Sequence, residues 1–237
     1  EALTPHLFVS SRARPVRAKH RELTADTHVR PHSHPWAQVA ISTTGVIRLT
    51  VPHGAYIVPP SRALWIPPGV EHAVTMVEDA DLRTLYFHQP PGRCGPAVAR
   101  AQEEPWRQCR VLEVSDLLRA LVREMPAEPD DGAPLAPEAL HRERHLSALI
   151  LDELRRASSV RLGVELPRDK RRRHLCETVL ADPTHHETLA DWARDTGASP
   201  RTVARLFRQE LGCTFTQWRQ QVILARAVTL AAGRRPI

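Results

Sequence analysis

The sequence predicts an α+β chain of two domains: a strand-rich N-terminal barrel with flanking helices, then an all-helical C-terminal domain. Three observations predict it. Residues 1–90 hold short apolar stretches broken by prolines, glycines and charges, a pattern of closely spaced strands in a sandwich or barrel. From residue 115 the apolar spacing changes to the helical i, i+3, i+4 period. The charge is also divided. Residues 1–167 hold 20 basic and 20 acidic side chains, whereas residues 168–237 hold 13 and 7 and carry the whole net charge of +6. A neutral part joined to a basic part suits a ligand domain joined to a polyanion-binding domain.

The 237 residues are 42% hydrophobic, enough for real cores. No apolar run reaches 18 residues and no secretory signal is present, so the reading is a cytoplasmic chain with no membrane partner. The cysteines, Cys94, Cys109, Cys176 and Cys213, form no CxxC pair. They read as small apolar residues in a reducing compartment.

Strands are expected at His6–Val9, Gln38–Ser42, Val46–Val51, Tyr56–Val58, Ala63–Ile66, Ala73–Val77, Leu82–Phe87 and Arg110–Val114. Pro31, Pro35, Pro52, Pro59, Pro60, Pro67 and Pro68 rule out long helices there. Ser115 is an N-cap for a helix with Leu117, Leu118, Leu121 and Val122 as its apolar stripe. After a Pro-rich loop at 126–137, a second helix over 138–157 sets Leu146, Leu149, Ile150 and Leu154 on one face. These faces fit two readings, packing on the barrel or a homodimer interface. A strand-like run, Val160–Leu166, leads into a linker near residues 158–170, and the basic run Lys170–Arg173 opens a helix reaching Ala181. The domain boundaries that follow are 1–110 for the barrel, 111–166 for the helical linker and dimerisation region, and 167–237 for the last domain.

Residues 187–212 read as two helices and a tight turn. Leu189, Trp192 and Ala193 give the first helix its apolar face, and Gly197 ends it. Ser199 caps the second helix and Pro200 takes its first position. Val203, Leu206 and Phe207 are its buried stripe, leaving Arg201, Thr202, Arg205 and Arg208 outside. A capped helix with a basic outer face after a glycine turn suits a DNA major groove. An ordinary helical hairpin with solvated arginines fits the same pattern. A longer helix over 216–232 follows, with Trp218, Val222, Leu224, Ala225, Val228 and Leu230 available for burial.

The other chemistry lies in histidines. His32 and His34 are two apart, so an extended backbone turns both rings to one side, and Gln38 shares their parity. The Pro67-Pro68-Gly69 turn would bring His72 back toward them. Three imidazoles and an amide oxygen suit a divalent Zn, Ni or Fe ion. The same residues also suit a ligand pocket without metal. His28, His53 and His88 are less well placed.

His32, His34, Gln38 and Gly45, then Pro67, Gly69 and His72, resemble the two motifs of the cupin barrel. Gln38 stands where cupin enzymes place Glu, and Met76 where the second motif has Asn. Losing the carboxylate removes a catalytic group, so the alternative reading, a cupin metalloenzyme (dioxygenase or isomerase) with a helical appendage, ranks second and the chain is read as no enzyme. Leu189-Ala190-Asp191-Trp192-Ala193, Gly197, Ser199, Arg201-Thr202, Arg205-Leu206-Phe207, Gly212, Phe215, Trp218-Arg219 and Ala225-Arg226-Ala227 resemble the DNA-binding domain of the AraC/XylS family of transcription regulators. That resemblance implies a ligand- or metal-responsive regulator that binds double-stranded DNA. It implies a recognition helix over 200–211, with Arg201, Thr202 and Arg205 at base edges and Arg208 and Ser199 at phosphates. It also implies two helix-turn-helix units, and residues 167–237 hold only the first and its joining helix, so the chain reads as truncated after Ile237. The effector is then a divalent ion at His32, His34, Gln38 and His72, or otherwise a small molecule.

Overall fold

The computed structural model describes residues 5–52, 54–60, 62–160, 163–165, 176, 179, 188–197, 199–211 and 213–233. In chain order the strands and helices are β1 (Val16–Leu23), β2 (His28–His32), β3 (Ala37–Thr44), β4 (Ile47–Val51), β5 (Gly54–Val58), β6 (Arg62–Ile66), β7 (His72–Met76), β8 (Ala80–Phe87), β9 (Arg110–Glu113), α1 (Asp116–Glu124), α2 (Pro137–Arg156), β10 (Ser159–Val160), β11 (Gly163–Glu165), α3 (Leu189–Thr196), α4 (Pro200–Leu211) and α5 (Phe215–Gly233). The chain divides into two compact units, Glu1–Leu49 with Val58–Arg161, and Thr50–Ile57 with Leu162–Ile237.

The first unit is built on a six-stranded sheet of order β1-β8-β3-β6-β9-β10. Strands β1 and β8 pair antiparallel without a break from Val16↔Phe87 to Leu23↔Ala80. A second sheet places β7 between β4 and β2. Val16, Val39, Ile41, Trp65, Leu85 and Phe87 form one core with Leu118, Leu121, Val122, Leu146, Ile150 and Leu154 of α1 and α2. Both helices therefore pack on the barrel. Ser115 caps α1, accepting from the Leu118 amide at 2.9 Å as the sequence predicts. Leu117 and Leu149 depart from the expected stripes, at 51% and 48% exposed. Each sits about 100° around its helix from the buried Leu118 or Ile150, which turns it past the contact face.

Two further expectations differ. The strand expected at His6–Val9 is a 3-10 turn over Pro5–Phe8, since proline suits a first helical position and cannot donate to a ladder. The apolar pattern does not announce β1 and β2, because charged residues interrupt it. One of those charges, Arg17, is only 2% exposed and bonds both Asp130 oxygens at 2.6 Å. Arg14 reaches the same Asp130 at 2.8 Å and grips the buried Glu143 with two bonds of 2.7 Å. This network ties the approach to β1 to the loop before α2 and to α2 itself. The turn into β4 needs Gly45, where φ is +72° and a Cβ would lie 2.1 Å from the Asp79 carbonyl oxygen.

In the second unit, β11 runs antiparallel to β5. Ala193, Val203, Phe207, Phe215, Trp218 and Val222 form its core with Cys176 and Val179. Phe207 meets Phe215 and Trp218 edge-on, at 5.5 and 5.8 Å between ring centres. Leu224, expected to be available for burial, is 57% exposed. The side chains of Trp192, Leu206, Ala225, Val228 and Leu230 lie outside what is described. So do His53, the basic run Lys170–Arg173 and, but for Cys176 and Val179, the helix expected up to Ala181. Among the described residues no helix is long and apolar enough to cross a membrane.

Candidate functional site

The barrel brings the three predicted histidines together. In the β2–β7 ladder His32 pairs with His72, after a register shift between Val29 and His32. Beyond β2 the chain turns, and His34 precedes β3. Gly69, at φ +77°, closes the Pro-Pro-Gly turn, and its amide donates to the His34 carbonyl at 2.9 Å. Ring centres lie 4.3 Å apart for His32–His72, 5.2 Å for His34–His72 and 6.0 Å for His32–His34. One nitrogen from each ring lies within 4.8 Å of the other two. Gln38, early in β3, sets Oε1 2.7 Å from His34 Nε2. The sequence placed these four side chains together, and they are together here.

The hydrogen bonds fix which nitrogen each ring presents. Nδ1 of His32 lies 2.9 Å from the Arg30 carbonyl, that of His34 2.7 Å from the Trp36 carbonyl, and that of His72 2.9 Å from the Val70 carbonyl. A carbonyl oxygen only accepts, so each Nδ1 carries the proton and each neutral ring offers the Nε2 lone pair. Backbone carbonyls hold metal-ligating imidazoles in this way. Burial lowers the pKa of His34, and burial lowers that of His72 to about 4 with the neighbouring imidazoles adding to it. Burial thus favours the neutral form of both rings.

Two observations test whether a cation fits. The His72 Nε2 is buried and has no hydrogen-bond partner. His34 Nε2 and Gln38 Oε1 are both acceptors, yet they lie 2.7 Å apart. The amide turned over, with NH2 donating to Nε2, would satisfy that pair. A cation between the two lone pairs would satisfy it equally and would also give the orphaned His72 nitrogen a partner. The donor set therefore fits a borderline divalent ion.

Two site residues escaped the sequence reading. Trp36 stacks on His34 with 5° between the rings and 5.3 Å between their centres. Tyr86 meets both edge-on at about 6 Å, and burial raises its hydroxyl pKa to about 12. Trp36 shares the parity of His34 and Gln38, so the signal was present. Tyr86 faces Gln38 across the β3–β8 ladder, a register visible only in the fold. Of the histidines set aside, His28 is exposed and bonds Thr75 Oγ1.

The second site lies on α3 and α4. Thr188 and Asp191 form a reciprocal capping box at the start of α3, and Gly197 ends it at φ +65°. The Thr202 amide donates to the Ser199 hydroxyl at 3.2 Å, and the two hydroxyls are 2.9 Å apart. Ser199 is thus the expected cap, and Thr202 is drawn into it. Arg201, Arg205 and Arg208 are exposed, at i, i+4 and i+7 on one stripe of α4. Val203 and Phe207 are buried on the other side. Among the described residues these three arginines have no carboxylate partner.

Comparison with known proteins matches both parts of the chain. Residues 16–154 match the family model described as AraC-like ligand binding domain, and residues 192–237 match a helix-turn-helix domain. The HTH-type transcriptional regulator NimR of Escherichia coli (strain K12) is 29% identical over 197 residues, covering 83% of this chain and 66% of that protein. The chain thus spans just under two thirds of that relative. Apo ToxT K231A from Vibrio cholerae strain SCE256 aligns over 94% of this chain and 85% of its own, at 10% identity and a TM-score of 0.39. An RmlC-like cupin from Shewanella frigidimarina NCIMB 400 covers 33% of this chain and 70% of its own, at 15% identity and a TM-score of 0.30.

Proposed function

The chain belongs to the AraC-like ligand-binding-domain family, and from that membership we infer that it acts as an effector-responsive regulator of transcription rather than as an enzyme. One observation carries this reading: a ligand-binding family domain and a helix-turn-helix domain occupy the same chain. The domains are taken as 1–110 for the barrel, 111–166 for the helical region and 167–237 for the DNA-reading part.

On the DNA side, α4 enters the major groove. Arg201 and Arg205 suit guanine, whose O6 and N7 accept both arms of a guanidinium. Thr202 lies beside them at the base edges. Arg208 and the Ser199 end of the helix meet phosphates, since backbone N–H groups and the helix dipole favour an anion there.

On the effector side, His32, His34, His72 and Gln38 would hold a divalent ion of the Zn, Ni or Fe class through Nε2 and Oε1. Such an ion supplies a positive centre for an oxygen-bearing effector. Trp36 and Tyr86 wall the site, and the neutral Tyr86 hydroxyl can hydrogen-bond a ligand. An effector shifts the protein only through its different affinity for two states. Strands β2, β3 and β7 and the turn after β2 carry the ligands, so the ion would join β3 of one sheet to β2 and β7 of the other.

The exposed Leu117 and Leu149 on α1 and α2 support a homodimer through the helical region. A DNA-binding regulator works where its DNA is, so the reading is of a cytoplasmic protein. The test is fluorescence anisotropy on DNA selected from a random pool, with and without Zn or Ni. The reading expects one enriched motif whose affinity changes on metal addition. Random enrichment would sink it.

A further inference from the structure

Helix α2 carries a second pair of imidazoles far along the chain from the barrel motifs. His141 and His145 are one turn apart, with 4.4 Å between ring centres, and both are exposed. His145 Nδ1 bonds the His141 carbonyl at 3.0 Å, so its Nε2 lone pair points away from the backbone. Cations that would repel a metal are occupied elsewhere. Arg142 pairs with Glu124 at 2.7 Å, and Arg144 donates to the Ala13 carbonyl. The next turn on the same stripe carries the exposed Leu149.

We propose that His141 and His145 form a second transition-metal site, completed by the same pair from a second copy of the chain. Two imidazoles at i and i+4 on one helix face span adjacent positions around an ion. Structural zinc sites close with four ligands. A two-fold axis through the ion supplies His141 and His145 again, because an isologous interface repeats each residue. Leu149 then lies where the two helices meet, so apolar burial and ligation act on one surface. The ion must be of the zinc or nickel class, which imidazole suits. The shared site rests on the homodimer reading; the chelating pair does not.

The experiment uses the full chain with His32→Ala, His34→Ala and His72→Ala, which silences the barrel site. Equilibrium dialysis with Zn is combined with sedimentation in Zn and in chelator. Expected are one ion per two chains and a dimer at least tenfold tighter with Zn, both lost in a His141→Ala/His145→Ala version. A dimer equally tight in chelator overturns the site and leaves the homodimer reading intact. A monomer in both conditions overturns both. Binding of one ion per chain without a mass change overturns the sharing, and no binding overturns the proposal outright. A parallel His145→Gln variant, checked for helix content, guards against loss by misfolding.

Discussion

The amide of Gly69 donates to the carbonyl of His34 at 2.9 Å, so the turn that delivers His72 is latched to the backbone of its neighbour in the site. The geometry of the histidine cluster thus depends on a glycine that offers no side chain. Gly69 sits at φ +77° with open space where a Cβ would be. Gly69→Ala should therefore cost only its left-handed strain, about 1–2 kcal/mol. Gly45→Ala adds a backbone clash at 2.1 Å and should cost clearly more. Urea unfolding of the two variants checks the order, and equal losses would refute it.

Acid should loosen the barrel through His72. Its pKa falls from 6.5 to about 4 on folding because the ring is buried. The unfolded chain therefore binds the extra proton first. Stability from this group is complete above about pH 6.5 and is lost as the pH drops toward 4. About 3 kcal/mol is at stake. His72→Ala should flatten that part of the stability–pH curve in metal-free protein, and an unchanged curve would count against the burial.

Asp130 neutralises a guanidinium that is almost wholly buried. Asp130→Ala leaves Arg17 without its carboxylate, and Arg14 retains Glu143. Asp130 is itself 38% exposed, so the loss should be about 2–3 kcal/mol, below the range for fully buried pairs. Arg17→Met with Asp130→Ala should recover part of it. Thermal unfolding of single and double variants measures this, and purely additive losses would exclude the coupling.

Two arginines on α4 should separate base reading from phosphate binding. Arg205→Ala is expected to cost about 1–3 kcal/mol on the selected DNA and relax preference at one position. Arg208→Ala should weaken all sequences alike and reduce the salt slope by about one. Anisotropy titrations at several salt concentrations distinguish them, and the reverse pattern would reassign the two residues.

Most of this was legible before the fold. His32, His34 and Gln38 share parity, and Pro67-Pro68-Gly69 announces the return of His72. The helix-turn-helix was marked by Gly197, Ser199 and Pro200, which act locally and so can be read locally. Strand β1 was not legible. Arg17 occupies a core position only because Asp130, more than a hundred residues later, satisfies its charge, and no local pattern carries that information. Leu149 was misplaced for a related reason. Periodicity gives a helix a stripe, but the width of the contact face is set by what it packs on. Tyr86 became a site residue through its register with Gln38, which is a property of the sheet.

The proposed effector site depends on the barrel histidines holding an ion. Elemental analysis after dialysis of a His141→Ala/His145→Ala chain against Zn or Ni tests that directly, because only the barrel site then remains. One ion per chain is predicted, falling to none when His32 and His34 are also replaced by Ala. A folded chain that retains no metal, or that retains it without His32 and His34, would contradict the account.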